Sequence, residues 1–372
     1  MTQVNYALRK SDFRGVELVE TALPVCRGDD VVIAPRYVGL CGTDLNILRG
    51  GRSDSAQILG HEGVAEVVQA GDNVRILSVG DWVVLNPVNR TNQDEVLGHS
   101  FDGLFQSRMK IENIEQRQWM YELIPEVLRS RVGALIEPLA TAVYSYELIG
   151  KPDRDSNVVI FGDGPVALLN LVLLWLRGVT NITLVHGSSR RVDFAKSLGI
   201  ESTRYVNYSS SNLTENIVES LYGCPADVTL ICTGPNSVEK CVSVSLKYTR
   251  SGGLVNLIAS AMHPVISVKS GDLNVAAIRR MNVCGQVYGN GSEAFTTAEG
   301  SVVNFVGQRG TSSSHIRESI DLISRYTGVF RRFVTSRIDF RTAASFINDR
   351  VEKTVSSSRE FSDMKMILVN DS

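Results

Sequence analysis

The sequence has no charge excess, no C-x-x-C pair and no early apolar run, and each absence argues against a class of protein. Its 38 basic and 40 acidic residues nearly balance, so composition predicts neither nucleic acid nor an anionic membrane as a partner. Its six cysteines are scattered, which is typical of a reducing cytoplasm and not of a disulfide scaffold. The charged N-terminal segment lacks an apolar h-region, so no secretory signal is expected.

The chain is long enough for two sizeable cores. It has 372 residues, without repeats, low-complexity tracts or a polar linker. We therefore expect two closely apposed domains.

The stretch Asn157–Arg191 has the strand–turn–helix–strand order of a dinucleotide-binding unit. It reads VVIF, then G-D-G-P-V-A, then LLNLVLLWLRG, then ITLVH. Gly162 is expected to make the tight turn, and Gly164 to let backbone N–H groups approach a pyrophosphate. Pro165 suits the first turn of a helix, and Ala167 takes the third small position. An ordinary tight turn is the alternative for the glycines.

A membrane span is a second interpretation of this stretch, because Val158–Leu176 is a mostly apolar run of 19 residues. Polar residues and glycines interrupt its first half. A buried helix beside a buried strand explains the pattern better.

The end of the second strand of this unit predicts NADP(H) rather than NAD(H). The expected position facing the adenosine ribose is His186, and no acid follows before Asp193. Ser188, Arg190 and Arg191 supply a hydroxyl and two guanidinium groups, which suit a 2′-phosphate; two solvated arginines are the alternative. The predicted cofactor-binding residues are Gly162, Gly164, Pro165, Val166, His186, Ser188, Arg190, Arg191 and Thr233.

Residues 1 to about 136 are predicted to form a compact β-rich domain. Val31–Val38 and Gly63–Ala70 have strand patterns. The segment Asn73–Pro87 predicts two short strands around a Gly80-Asp81 turn. Many short strands with glycine turns favour this class of fold.

Two polar clusters in this region are not needed for packing. The first is L-C-G-T-D, containing Cys41, and the second is L-G-H-E-G, containing His61 and Glu62. Thiol, imidazole and carboxylate are the ligand types of an open zinc site. Each residue alone would more often be a core cysteine or a turn histidine. Their joint presence upstream of a dinucleotide fingerprint favours the metal.

The order of these motifs resembles the zinc-dependent medium-chain dehydrogenase/reductase family. The similar segments are CGTD, GHEG, GD-x-V-V, IEPLATAVYSYELI (136–149), the nucleotide unit, DVTLICTG (227–234) and SGGLVNLI (251–258). The resemblance implies an α/β protein with a GroES-like β-rich catalytic domain and a Rossmann doubly wound cofactor domain. Residues 1–145 would form the first part of the catalytic domain, 146–290 the Rossmann domain, and 291–372 the end of its sheet and the return to the catalytic domain.

The resemblance also implies a site. One catalytic zinc would be held by Cys41 and His61, with Glu62 and Glu137 as acidic ligands directly or through water. Asp44 would orient His61, and Thr43 would pass the substrate proton toward solvent. Thr43, Asp44 and Glu62 are thus the predicted catalytic residues.

Four departures from the family pattern refine this expectation. Residues 86–110 contain no cysteine, so the structural zinc of many members should be absent. Glu137 stands where alcohol dehydrogenases have a cysteine ligand, which points to the polyol and sugar branch. Asn46 replaces a frequent histidine, leaving Thr43 as the nearer hydroxyl. The segment 98–107, GHSFDGLFQS, is loosely similar to alditol-phosphate and aminocyclitol dehydrogenases.

The leading hypothesis is therefore a cytoplasmic, zinc-dependent oxidoreductase that acts on a polyol, sugar, cyclitol or a phosphate of these with NADP(H). A zinc-free enone or quinone reductase of the same superfamily is one alternative, and a non-catalytic nucleotide-binding protein is another. We also expect a homodimer or homotetramer through residues 285–306, where the apolar run VVNFVG has no other evident role.

Overall fold

A computed structural model describes residues 4–12, 14–357 and 363–371. The strands in chain order are β1 Asn5–Lys10, β2 Val16–Thr21, β3 Val31–Gly39, β4 Glu62–Ala70, β5 Trp82–Leu85, β6 Met109–Ile111, β7 Tyr121–Leu123, β8 Asn157–Phe161, β9 Asn181–His186, β10 Thr203–Asn207, β11 Ala226–Ile231, β12 Thr249–Leu257, β13 Val265–Val268, β14 Gly271–Asn274, β15 Asn282–Val283, β16 Gln286–Val287, β17 Glu293–Thr296, β18 Val302–Gly307, β19 Val334–Asp339 and β20 Lys365–Val369. The α-helices are α1 Gly42–Leu48, α2 Ile136–Leu148, α3 Pro165–Leu176, α4 Ser189–Ser197, α5 Leu213–Ser220, α6 Val238–Ser245, α7 Val275–Arg280, α8 Ser313–Arg325, α9 Thr327–Arg331 and α10 Ala343–Ser357.

These elements form two compact units. The described residues within 1–140, 311–358 and 363–372 make up the first unit. Those within 141–310 make up the second, and helix α2 contains the boundary between them.

The first unit is built on a sheet with the strand order β19-β20-β3-β4-β5-β7, with β6 also paired to β3. Strands β3 and β4 confirm the two strand patterns seen in the sequence. Their buried apolar side chains, such as Ile33 and Val67, pack in the core of this unit. The last strand of the chain, β20, pairs with β3 in the middle of the sheet.

The predicted strand before the Gly80-Asp81 turn is wrong. Residues 73–80 form turns, and only β5 follows them. The N–H of Val74 donates to Gly71 O at 3.0 Å, and the N–H of Ser78 donates to Oδ2 of Asp81 at 2.8 Å. These local bonds occupy donors that a ladder would need, so β-branched composition alone does not make a strand.

The second unit contains a parallel sheet with the strand order β10-β9-β8-β11-β12-β18, and β17 added antiparallel at one end. The chain winds outward from β8 to β10 and then resumes on the other side of β8 with β11. The carboxyl ends of β8 and β11 therefore flank a topological switch point, which is the usual ligand-binding crevice of such sheets.

The long apolar run of the sequence is divided between strand β8 and helix α3. The helix has 12 residues, and those from Ala167 to Leu174 are all buried. This all-round burial explains its apolar composition. Among the described helices, none is long and apolar enough to cross a membrane.

The run VVNFVG has a structural role that the sequence did not reveal. It forms β18, which lies between β12 and β17. Val303 and Phe305 are fully buried in the core of the second unit. The expectation that this run has no other role is therefore wrong, whereas the subunit contact through residues 285–306 stays a prediction. The described sheet ends in β10 on one side and in β17 on the other.

Candidate metal centre and nucleotide site

The two polar clusters come together because β3 and β4 are antiparallel neighbours. Their register pairs Gly39 with Glu62, so the segment after β3 meets the segment before β4. Cys41 lies at the N-cap of α1, and His61 immediately precedes β4. The candidate ligand atoms of Cys41, His61 and Glu62 all lie within 4.8 Å of one another. A Cβ at Gly39 would lie 2.8 Å from Oε2 of Glu62, so this glycine makes room for the carboxylate.

Asp44 ties the two ligand-bearing turns together. Its Oδ2 accepts a hydrogen bond from the Cys41 N–H at 2.9 Å, and its Oδ1 accepts one from the Gly60 N–H at 3.4 Å. The same Oδ1 lies 3.5 Å from Nδ1 of His61. Asp44 is fully buried. Burial alone would raise its pKa, but His61 and the hydrogen bonds together lower it, so the carboxylate stays charged.

His61 is held for ligation through its other ring nitrogen. Because Nδ1 faces Asp44, Nε2 is left as the nitrogen for a metal. Burial would lower the pKa of His61, but the charge of Asp44 raises it well above its ordinary value. A proton and a metal ion therefore compete for this imidazole.

The donor set fits zinc. A sulfur, an imidazole nitrogen and a carboxylate oxygen are preferred zinc ligands, with bonds of about 2.0–2.3 Å. Atoms within 4.8 Å of one another need only a modest approach to reach such bonds. Of the residues the structure describes, these three form the group that could hold a metal ion.

Glu137, the fourth predicted ligand, is near this group but is not one of the three. It lies in the first turn of α2 and is buried. Burial and the nearby charge of Glu62 raise its pKa to about 7. Without a metal, burial and the neighbouring charge therefore favour the protonated form of this carboxyl more than water does.

A buried lysine lies beside the acidic groups of this centre, and the sequence analysis did not identify it. Lys365 begins β20, and its ammonium group forms an ion pair with Oε2 of Glu62. Both side chains are only 3% exposed. Burial would lower the pKa of Lys365, but Glu62 and other acidic groups raise it. The sequence did contain a signal, since a lysine begins the apolar run KMILV. A lysine in a buried strand needs an acidic partner, which would have pointed to an ion pair.

A second histidine packs on the first, and it also went unpredicted. The rings of His61 and His99 have centroids 4.9 Å apart and are tilted by 42°. Nδ1 of His99 lies 3.4 Å from Oδ1 of Asp54. Burial lowers the pKa of His99 despite this carboxylate. The segment 98–107, which departs from the family pattern, therefore places the neutral imidazole of His99 beside the candidate ligand His61.

The remaining predicted residues of this region lie on α1. Thr43 and Asn46 are half-buried, two and five residues after Cys41. Thr43 thus lies close in sequence to the candidate ligand Cys41, and it is partly exposed to solvent.

The glycine-rich turn of the second unit has the geometry that its sequence predicts. Gly162 has φ +119°, and a Cβ there would lie 2.5 Å from the carbonyl oxygen of Cys232. That Cβ would also lie 3.5 Å from Cβ of Ala167, which shows how closely α3 approaches β8. Gly164 is the N-cap of α3, and Pro165 is its first residue. A Cβ at Gly164 would meet nothing within 4 Å, so the helix N-terminus faces open space there.

The residues predicted to bind the adenosine ribose follow β9. His186 ends that strand, and Ser188 caps α4 by accepting a hydrogen bond from the Arg191 N–H at 3.4 Å. Arg190 is exposed on the same helix. Val166 lies in the first turn of α3, and Thr233 follows β11.

An acid does lie beside the end of β9, although no acid follows that strand directly in the sequence. Asp163, from the glycine-rich turn, lies 3.4 Å from the guanidinium of Arg191. Sequence reasoning missed this residue because it considered only the acids that follow β9.

Comparisons with known proteins identify the class. Residues 27–116 match the alcohol dehydrogenase GroES-like domain, and residues 165–304 match the zinc-binding dehydrogenase domain. The sorbitol dehydrogenase of Gallus gallus is 26% identical over 292 residues, which are 73% of this chain and 80% of that protein.

Two solved structures are similar over nearly the whole chain. A zinc-binding dehydrogenase from Sinorhizobium meliloti bound to NADP has a TM-score of 0.76 and 22% identity, covering 99% of this chain and 100% of its own. The 2R,3R-butanediol dehydrogenase from Bacillus subtilis has a TM-score of 0.76 and 21% identity, with coverage of 99% and 100%. These likenesses concern the fold.

The chain belongs to the zinc-dependent medium-chain dehydrogenase/reductase family, as its motif order indicated. It has that family's GroES-like and Rossmann-like domains, and it is an enzyme of the alcohol/polyol dehydrogenase class.

Proposed function

We propose that the protein catalyses reversible hydride transfer between NADP(H) and a secondary alcohol or ketone of a polyol, sugar, cyclitol or a phosphate of these. The convergence of Cys41, His61 and Glu62 within 4.8 Å carries this proposal, because a merely structural domain has no need of such a donor set. The relatives named for sorbitol and 2R,3R-butanediol support a substrate with neighbouring hydroxyl groups.

In this proposal one zinc ion is held by Cys41 and His61, with carboxylate help from Glu62 and Glu137. When bound, zinc supplies Lewis-acid polarisation of the reacting oxygen. Asp44 fixes the imidazole and the two turns. The hydroxyl of Thr43, half-buried on α1, passes the substrate proton toward solvent.

The nucleotide is proposed to bind at the switch point of the second unit. Gly162 makes the tight turn, and Gly164 lets the backbone N–H groups at the start of α3 approach and bind the pyrophosphate. When bound, the nicotinamide supplies the hydride acceptor or donor. A preference for NADP(H) is supported by Ser188, Arg190 and Arg191 at the start of α4.

Three further expectations stay proposals. We retain the domain division 1–145, 146–290 and 291–372. A homodimer or homotetramer is proposed through the sheet edge around residues 285–306, where β17 is an edge strand that can pair with a second copy. A cytoplasmic location is proposed from the scattered free cysteines.

A substrate panel tests the proposed reaction. Sugars, alditols, cyclitols and their phosphates are assayed with NADP(H) and NAD(H), and bound metal is measured by mass spectrometry. We expect turnover of at least one substrate and one zinc per subunit. Activity without zinc would favour the enone or quinone reductase, and nucleotide binding without turnover would favour a non-catalytic protein.

The variant Cys41→Ala provides the matched test of the metal. We expect turnover to be lost while the circular dichroism spectrum and unfolding midpoint stay close to wild type, because an open catalytic site does not hold the fold together. Two zinc ions per wild-type subunit, or full activity of the variant, would contradict the proposed site.

A further inference from the structure

One carboxylate joins the glycine-rich turn to the turn that follows β9. Oδ2 of Asp163 accepts hydrogen bonds from the N–H groups of Gly187 at 2.8 Å and Ser188 at 2.7 Å. Its Oδ1 lies 3.4 Å from a guanidinium nitrogen of Arg191. Asp163 therefore contacts two backbone donors and one cationic side chain at the start of α4.

The register of the sheet explains this contact. Strands β8 and β9 are parallel neighbours, with Phe161 opposite Val185, so the two turns that follow them lie side by side. The positive φ of Gly162 turns the chain directly before Asp163. The acid is thus contributed by the neighbouring turn, at a distance of 24 residues in sequence from Gly187.

The same donors would suit a phosphate. Backbone N–H groups at a helix N-terminus and an arginine side chain are typical ligands of a phosphate group. In this protein they already bind an anion, the carboxylate of Asp163. A 2′-phosphate on the adenosine ribose would have to compete with this carboxylate and would be repelled by its charge.

We propose that Asp163 is a specificity-determining residue for the 2′ position of the adenosine ribose. It occupies the donors that a 2′-phosphate would use, and it thereby limits the preference for NADP(H) over NAD(H) that Arg191 provides. The inference rests on the proposed nucleotide site, and it adds to that site a residue whose effect on NADP(H) preference is opposite to that of Arg191. An unopposed arginine would give a stronger preference than the wild type has.

Asp163→Asn is the discriminating substitution. The amide oxygen of asparagine can still accept from Gly187 or Ser188, so the turn keeps a hydrogen bond, while the negative charge is lost. Asp193→Asn is the matched control, because it removes the same charge from an exposed position on α4, the helix that carries Arg191. Both variants are made in the full-length protein.

Ligand binding measures the effect without catalysis. Isothermal titration compares 2′,5′-ADP with 5′-AMP, which share the adenosine and differ at the 2′ position. We expect Asp163→Asn to tighten binding of 2′,5′-ADP roughly tenfold, the scale of one hydrogen bond to a charged group. Binding of 5′-AMP should change little, and Asp193→Asn should leave the ratio of the two dissociation constants unchanged.

The outcomes separate this inference from the proposed function. If Asp163→Asn weakens both ligands equally, Asp163 only shapes the turn and the specificity role is overturned while the nucleotide site stands. If the wild type binds neither ligand, the proposed site itself fails, and the inference fails with it. In an Arg191→Ala background the gain from Asp163→Asn should shrink, because the released guanidinium is missing; an undiminished gain would overturn the part assigned to Arg191.

Discussion

Replacing Lys365 by methionine removes the cation that faces the candidate metal ligands. The substitution keeps an unbranched side chain of similar length but leaves the carboxylate of Glu62 without its partner. Glu137, whose pKa is already raised by burial and by Glu62, loses a nearby positive charge as well. The metal-free site then keeps the buried charge of Glu62 without the cation that pairs with it.

The structure sets the size of the effect. Both members of the Lys365–Glu62 pair are 3% exposed, and removing one partner of a buried ion pair costs about 3–5 kcal/mol. The pair Arg9–Glu17 is 51% exposed on both sides, and such a pair contributes about 0–1 kcal/mol. We expect Lys365→Met to lower the free energy of unfolding by about 3–5 kcal/mol. The control Arg9→Met should lower it by about 0–1 kcal/mol. Added zinc should reduce the loss in Lys365→Met, because a bound cation restores positive charge beside Glu62.

Tryptophan fluorescence can follow the first unit alone. Trp82 and Trp119 belong to that unit, and Trp175 belongs to the second. In a Trp175→Phe background, denaturant unfolding monitored by fluorescence reports the first unit, with EDTA or with zinc. Separate probes are needed because two units need not unfold in a single transition.

Two results would refute this reasoning. A loss below about 1 kcal/mol in EDTA would mean that the pair behaves like an exposed one. An equal loss with EDTA and with zinc would mean that Lys365 acts by packing and not by charge. The double variant Glu62→Gln, Lys365→Met should be more stable than Lys365→Met alone, since removing both charges leaves none uncompensated.

Three other predictions follow from the second unit. Gly162→Ala should lower stability by about 1–3 kcal/mol because of its positive φ, whereas Gly164→Ala should keep the unfolding midpoint and weaken nucleotide binding. Arg190→Ala or Arg191→Ala should raise the KM for NADPH roughly ten- to hundredfold with little change for NADH; unchanged kinetics in both would contradict the NADP(H) preference. Light scattering should give at least twice the 40.8 kDa subunit mass, and a monomer at micromolar concentration would count against pairing through β17.

Local patterns predicted the parts of the fold that depend on short-range signals. The glycine turn, the helix that Pro165 begins and the strands β3 and β4 follow from backbone conformation and side-chain burial, and Gly162 shows this directly. The grouping of Cys41, His61 and Glu62 was expected from their residue types together with the family resemblance, and the structure brings the three together.

Long-range partners could not be predicted in the same way. Lys365 reaches Glu62 across 303 residues of sequence, and His99 reaches His61 through a segment that departs from the family pattern. Asp163 follows β8, and it lies beside the end of β9 only because these two strands are neighbours in the sheet. Each contact depends on which strands pair, and strand order is a property of the whole chain.

The pairing of β20 with β3 has a consequence for biosynthesis. A ribosome releases Glu62 well before Lys365, because the two residues are 303 positions apart in the sequence. The described residues of the second unit all lie within 141–310, so this unit can fold as soon as that segment is released. The first unit must close a loop of roughly three hundred residues before its central sheet is complete, which makes its folding slow and of high contact order. Until that closure, Glu62 lacks the cation that it contacts in the folded protein.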